Sequence, residues 1–360
     1  MKIITSTTLL ALSLTLPCQA AIIESGRFYS YVEDLKDNAF KSNSGLYVAP
    51  SVAERAKFSQ LAMSLYDHNW LTAEVQANNL GYDLIQFLNT TTNETYYGVT
   101  EQLVAGAQTK GWGSFFINES ATSNVTVEVA HPSYDTNSHR LGASIFERSR
   151  ANGFIMAGAH RSANGSQTAN PTSLPFSIFQ EVHQAWNGGY GDSTAWQLHG
   201  FGSSTGRKFP DGTDAVLSDG AGNVTYELSV LDRFLEEIQD DKFGNSYVYN
   251  QLATDDPLNI QVNGDNQNGH DPFYHLRAFN NPQGQFSRDA GGTFVHIEAS
   301  YYIRRSFSRR DTHFANAIVG AIKETSTERS GHVTSVPEPS GLWLLAAGLF
   351  ILPFSSRKKV

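Results

Sequence analysis

Short apolar runs bounded by polar turns alternate with longer amphipathic stretches through most of this chain, and few architectures accommodate that order. YDLIQFL (82–88), GSFFI (113–117), VTVEVA (125–130) and GFIMAGA (153–159) read as strands. So do AWQLH (195–199), DAVLS (214–218), SYVYN (246–250), LNIQV (258–262) and TFVHIEASYYI (293–303). Helical patterns occupy residues 51–77, which open on a serine cap, and residues 139–151, 172–185, 229–239 and 311–325. Strands taken in turn with helices predict an α/β fold: a single layered domain with a largely parallel or mixed sheet flanked by helices. No internal repeat is visible, which sets aside propellers and solenoids. The polar stretch 263–292 predicts a long loop, a lid or an insertion.

The two ends differ from this body. Residues 1–20 carry Lys2, an apolar run from 8 to 17 and small residues at Cys18 and Ala20, the layout of a secretory signal peptide cleaved before Ala21. At the other end Val336 to Pro339 form a proline-rich break. Residues 341–354 are then apolar or small, and Arg357, Lys358 and Lys359 follow. An apolar stretch closed by cations stops in a membrane with the cations on the cytoplasmic side, and this one is short of the roughly 20 residues of a stable span. Pro337-Glu338-Pro339, the apolar run and the basic end together resemble the PEP-CTERM sorting signal. That resemblance implies recognition and removal of the tail by an exosortase-type enzyme in a Gram-negative bacterium that makes extracellular polysaccharide. The expected division is a signal peptide at 1–20, an α/β body at 21–335 and a sorting tail at 336–360. The expected partners are signal peptidase and the exosortase. Residues 341–354 then serve as a transient inner-membrane anchor for a protein destined for the periplasm, outer surface or extracellular matrix.

The only cysteine, Cys18, falls in the leader. The body therefore has no disulfide, no thiolate zinc site and no cysteine nucleophile, and it depends on a large core, a metal or both. The formal net charge of −9 includes the basic tail, so a nucleic-acid footprint is absent.

Polar residues concentrate where strands end. His131 and Asp135 follow strand 125–130, His160 and Arg161 follow strand 153–159, His199 ends strand 195–199, and the last strand carries His296 and Glu298. In an open α/β sheet ligands bind at the carboxyl ends of strands. A hydrolytic zinc site takes three protein ligands and leaves a position open. His131, Asp135 and His199 supply such a set, with ligand atoms expected about 3–4 Å apart. Glu298 is the candidate base. Arg161, Arg304 and Arg140, in that order, are candidates to grip a substrate carboxylate through their planar forks. Each residue also has a plainer reading. His131 suits a turn cap before Pro132, Asp135 a helix cap, His199 a satisfied buried histidine, and Glu298 an ion pair with Arg304 or Arg305. His160 and Arg161 suit loop bonding, and His183, inside a helix, suits a structural role. Asn263, Asp265, Gln267 and Asp271 alternate like a calcium loop, but with the glycine and the closing acid misplaced.

The ordered set of a His-plus-acid motif after a strand, a second His in QLHG and a late-strand Glu in HIEAS resembles the zinc carboxypeptidase superfamily. It is similar in particular to its outlying amidohydrolases, the poly-gamma-glutamate hydrolases and N-formylglutamate amidohydrolases. The resemblance spans roughly residues 82 to 322 and implies His131, Asp135 and His199 as zinc ligands and Glu298 as base. It departs from carboxypeptidases in having His-X-X-X-Asp where they have His-X-X-Glu. The function expected is a zinc-dependent amide-bond hydrolase acting outside the inner membrane on a peptide or poly-amino-acid. The alternatives are a non-catalytic matrix or surface protein sorted by an exosortase system, and a carbohydrate hydrolase working through paired carboxylates, for which only Asp135 and Glu298 offer themselves.

Protein purified from its native host is expected to begin at or near Ala21 and to end near Pro339. Intact-mass measurement that finds Met1, or the Arg357 to Lys359 end, on the final product contradicts both export signals.

Overall fold

The computed structural model describes residues 21–188, 193–202, 215–242, 276–304 and 309–333. The signal peptide, the sorting tail, the strand candidates at 246–250 and 258–262 and the calcium-like stretch Asn263 to Asp271 lie outside the described residues. Nine strands form one mixed sheet: β1 (Ile22–Gly26), β2 (Tyr82–Asn89), β3 (Glu94–Glu101), β4 (Ser114–Asn118), β5 (Ser123–Val129), β6 (Ala151–Met156), β7 (Thr194–Phe201), β8 (Ala215–Ser218) and β9 (Thr293–Ser300). Their spatial order is β1-β2-β3-β4-β6-β5-β7-β9-β8. The centre, β6, β5, β7 and β9, is parallel, while β3, β4 and β8 run against their neighbours. The α/β reading of the sequence therefore holds.

Helices cover both faces. Helices α1 (Phe28–Asp37), α4 (Ser138–Ser149), α6 (Tyr226–Lys242) and α9 (Arg309–Val333) pack over one apolar cluster with Val127, Val129, Trp196, Leu198, Val295 and Ile297. Helices α2 (Val52–Tyr66), α3 (Trp70–Asn79) and α5 (Ile178–Asn187) cover the other, with α7 (Pro282–Asp289) beside β9. A parallel strand buried on both faces reads as a nearly continuous apolar run. Glu128, Gln197 and His296 each interrupt such a run, and all three face the second layer of helices. Among the described residues, no helix is long and apolar enough to cross a membrane.

Several boundaries differ from the sequence expectation for local reasons. The stretch 51–77 is two helices. Ser51 opens α2 with a capping box, its hydroxyl accepting from the Glu54 amide while Glu54 accepts from the Ser51 amide. The chain then breaks at His68, which has a left-handed φ of 56°, and Asn69 caps α3. Helix α5 starts at Ile178 rather than 172, because Pro171 and Pro175 hold the preceding chain in turns and Ser177 supplies the cap. The last strand stops at Ser300. The chain turns there into α8 (Tyr301–Arg304), with the Ser300 hydroxyl accepting from the Ile303 amide. Residues 276–292, expected as loop, contain α7, capped by Asn281 and opened by Pro282 at its first turn.

Helix α1 is fastened by one ring. Phe28 is wholly buried and meets Phe87, Tyr96, Phe116, Phe146 and Phe154 at centroid distances of 5.0–5.6 Å, mostly edge to face. Phe28→Ala is expected to cost about 3–5 kcal/mol of unfolding free energy, with unchanged denaturant dependence, in urea titration. A loss under about 1 kcal/mol contradicts this packing.

Candidate metal centre

Strands β5 and β7 are parallel neighbours, and β9 lies on the far side of β7. Register places Glu128 beside Gln197 and Gln197 beside His296; one step further along, His199 lies beside Glu298. The carboxyl ends of three adjacent strands thus present two polar rows on one face, the upper one holding the residues expected from sequence. His131 follows β5 directly. The Asp135 amide donates to the His131 carbonyl at 2.8 Å, closing a single helical turn. Residues four apart on such a turn share a side, so a His-X-X-X-Asp spacing brings both side chains to one point.

The resulting geometry is compact. His131 Nδ1 and His199 Nδ1 are 3.1 Å apart, and each lies 3.3 Å from Asp135 Oδ2. All three residues are at most 4% exposed. Metal bonds of about 2.0–2.1 Å in a tetrahedral shell give ligand–ligand edges of about 3.3 Å, so this triangle has the dimensions of one face of such a shell.

The proton positions follow from the surrounding network. Arg161 can only donate, and its Nε and Nη2 donate to Gln167 Oε1 at 3.1 and 2.8 Å. Gln167 Oε1 therefore faces Asn170 Nδ2, at 2.6 Å, and Asn170 Oδ1 is left to face His131 Nε2, also at 2.6 Å. His131 carries its proton on Nε2, and its Nδ1 is a lone pair. His199 Nε2 faces Gln197 Oε1 at 2.9 Å. The same oxygen accepts from Asn281 Nδ2 at 2.5 Å, while Gln197 Nε2 donates to Glu128 Oε2 at 2.9 Å. His199 therefore also presents a bare Nδ1. Burial lowers its pKa to about 4, against the raising influence of Asp135, so it is neutral at ordinary pH. Asp135 Oδ2 is buried, with no hydrogen-bond partner in the geometry of the site. Two lone pairs and a carboxylate oxygen converging in a buried space fit a divalent cation. The group can hold a metal ion.

Among the described residues a second group, His199, His296 and Glu298, also has its ligand atoms within 4.8 Å of one another. It shares His199, whose Nδ1 is already turned into the first triangle. His296 is buried, packs tilted against His199 at 4.8 Å between ring centroids, and burial holds its pKa well below the usual value. The first group, with its shorter edges, is the better metal site, and Glu298 stands beside it.

A cavity of about 630 Å³ opens over these residues, lined by His131, Asp135, His199, His296, Glu298 and Arg161 among others. Arg161 sits at its wall with its guanidinium 4.9 Å from the centre of the Tyr134 ring. Arg304 is placed elsewhere. Its guanidinium donates to the carbonyls of Ala299, Thr136 and Phe201 and lies against Gly200, where a Cβ would stand 1.9 Å from Cζ. It ties β9 to β7 and to the turn after Asp135 instead of lining the cavity. Arg140 pairs with Glu33 on α1, away from this site. His160 Nδ1 accepts from the Ser162 amide at 3.0 Å and shapes the Arg161 loop.

Gln197, Glu128, Asn170 and Asn281 escaped the sequence reading. A polar residue flanked by apolar ones in mid-strand, as in Val127-Glu128-Val129 and Trp196-Gln197-Leu198, was the available signal. His183, read as structural, is part of the same network through Glu128.

No protein-family model and no curated protein matches the chain. Among solved structures, a bacteriophage poly-gamma-glutamate hydrolase is similar at 14% identity and a TM-score of 0.33, over 61% of this chain and 89% of that one. A likeness this distant assigns neither activity nor site residues.

Proposed function

We propose that the protein is a zinc-dependent hydrolase of amide bonds, acting on a peptide or poly-amino-acid. The observation that carries this is the His131–Asp135–His199 triangle, with edges of 3.1–3.3 Å and both Nε2 atoms facing side-chain oxygens, which leaves each Nδ1 for a metal. Two histidines and a carboxylate are a donor set suited to zinc, and a zinc ion held there would supply Lewis-acid polarisation. The remaining work falls to this chain's own groups. Glu298, with its side chain 12% exposed at the cavity wall, takes the proton of the attacking water and returns it to the leaving amine. Arg161 orients a substrate carboxylate through its planar fork, with Gln167 and the Tyr134 ring holding the guanidinium in place. The cavity over the site is open and large enough for several residues of an extended substrate. We propose further that the chain works outside the inner membrane, after the processing read from its two ends.

Two substitutions separate ligand from base. Glu298→Gln is expected to keep zinc content by elemental analysis and to lower turnover about 10²–10⁴-fold on whichever member of a peptide and poly-glutamate panel the wild type cleaves. His199→Ala is expected to lose zinc and activity together. Full activity in Glu298→Gln contradicts the assignment of the base. Absence of stoichiometric zinc from the wild-type chain after zinc loading contradicts the hydrolase and favours the non-catalytic surface protein.

A further inference from the structure

Beneath the triangle lies a buried polar chain that the mechanism above does not use. Glu128 Oε1 on β5 meets His183 Nδ1 on α5 at 2.5 Å, and His183 Nε2 lies 3.2 Å from Ser287 Oγ on α7. The order serine, histidine, carboxylate is that of a nucleophilic triad, but these three are at most 1% exposed and do not line the cavity over the triangle. A substrate has no route to the serine. The chain's outlet is Glu128 Oε2, which accepts from Gln197 Nε2, and Gln197 in turn touches His199.

A carboxamide is nearly symmetric in shape, so its direction depends on its neighbours. Turned the other way, Gln197 would aim an N–H at His199 Nε2 and drive the imidazole proton onto Nδ1, where it would point into the triangle and abolish a ligand. Two groups oppose that turn. The Glu128 carboxylate, held by His183, calls for a donor. Asn281 has its own oxygen committed to the amides of Gln283 and Gly284 at the start of α7, so its Nδ2 must donate to Gln197. We propose that Gln197 is the positioning residue of the metal site, oriented by the Glu128–His183–Ser287 chain and by Asn281 so that His199 offers Nδ1. The seating of α5 and α7 on the sheet is thereby coupled to the ligand geometry. This inference rests on the metal reading of the site.

The test uses zinc alone, titrated into the purified full chain in competition with a chromophoric chelator, with near-ultraviolet circular dichroism to verify folding. Gln197→Met keeps the length of the side chain and removes the acceptor; it is expected to bind zinc about 10–100-fold more weakly. Gln197→Glu keeps an oxygen opposite His199 Nε2 and shares a proton with Glu128; it is expected to stay within about threefold of wild type. A purely structural glutamine would lower stability while leaving the zinc affinity of the folded fraction unchanged. A folded Gln197→Met chain that binds as tightly as wild type overturns the proposal, and so does Gln197→Glu binding as weakly as Gln197→Met. Should Gln197→Met not fold, imidazole nitrogen-15 shifts of the zinc-free wild type decide. His199 protonated on Nε2 supports the proposal, and His199 protonated on Nδ1 overturns it. Failure of the wild type to bind zinc overturns the metal reading and this inference with it, whereas zinc binding by the wild type with His199 protonated on Nδ1 overturns this inference alone.

Discussion

Two unprotonated imidazole nitrogens 3.1 Å apart, each 3.3 Å from one buried carboxylate oxygen, repel one another unless a cation lies among them. Burying a carboxylate away from hydrogen-bond donors is costly, and mutual repulsion of lone pairs adds to that cost. The protein maintains the arrangement by directing every proton near it. On one side the direction comes from Arg161, which can only donate, relayed through Gln167 and Asn170. On the other it comes from Glu128 and from the committed oxygen of Asn281, relayed through Gln197. The two relays start from different elements and end with the same outcome, a bare Nδ1 at each histidine.

The fold provides the places for this network. Three adjacent parallel strands put matched residues in rows, and the pleat sends alternate residues to one face. One face of β5, β7 and β9 is ordinary apolar core under α4, α6 and α9. The other carries Glu128, Gln197 and His296 in a lower row and His199 and Glu298 in an upper one. Helices α5 and α7 cover Glu128 and Gln197 in the lower row with His183, Ser287 and Gln283, so that these two side chains find protein partners. The upper row, together with His296, opens into the cavity. On β7 chemistry and support are thus separated by one residue pair, His199 above Gln197.

Much of this was legible in the chain. The alternation of strands and helices identifies the α/β class because hydrophobic periodicity is a local property that packing preserves. His131, Asp135, His199 and Glu298 stand out because they follow or end strands, where an open parallel sheet binds ligands. What could not be read depends on geometry between distant segments. Arg304 looked like a substrate arginine, yet its guanidinium serves three carbonyls because Gly200 leaves room for it against β7. The direction of a glutamine side chain has no sequence signature, and Gln197 takes its orientation from residues 69 positions before and 84 positions after it. The break at His68 and the end of β9 at Ser300 depend on a left-handed residue and a hydroxyl cap, each easily overlooked in an otherwise periodic run.

Anomalous diffraction at the zinc edge, from crystals of the chain grown with zinc, addresses the central claim directly. The account predicts a single strong peak about 2.0–2.2 Å from His131 Nδ1, His199 Nδ1 and the Asp135 carboxylate. No peak at saturating zinc, or a peak held through the Nε2 atoms or by other residues, would contradict it.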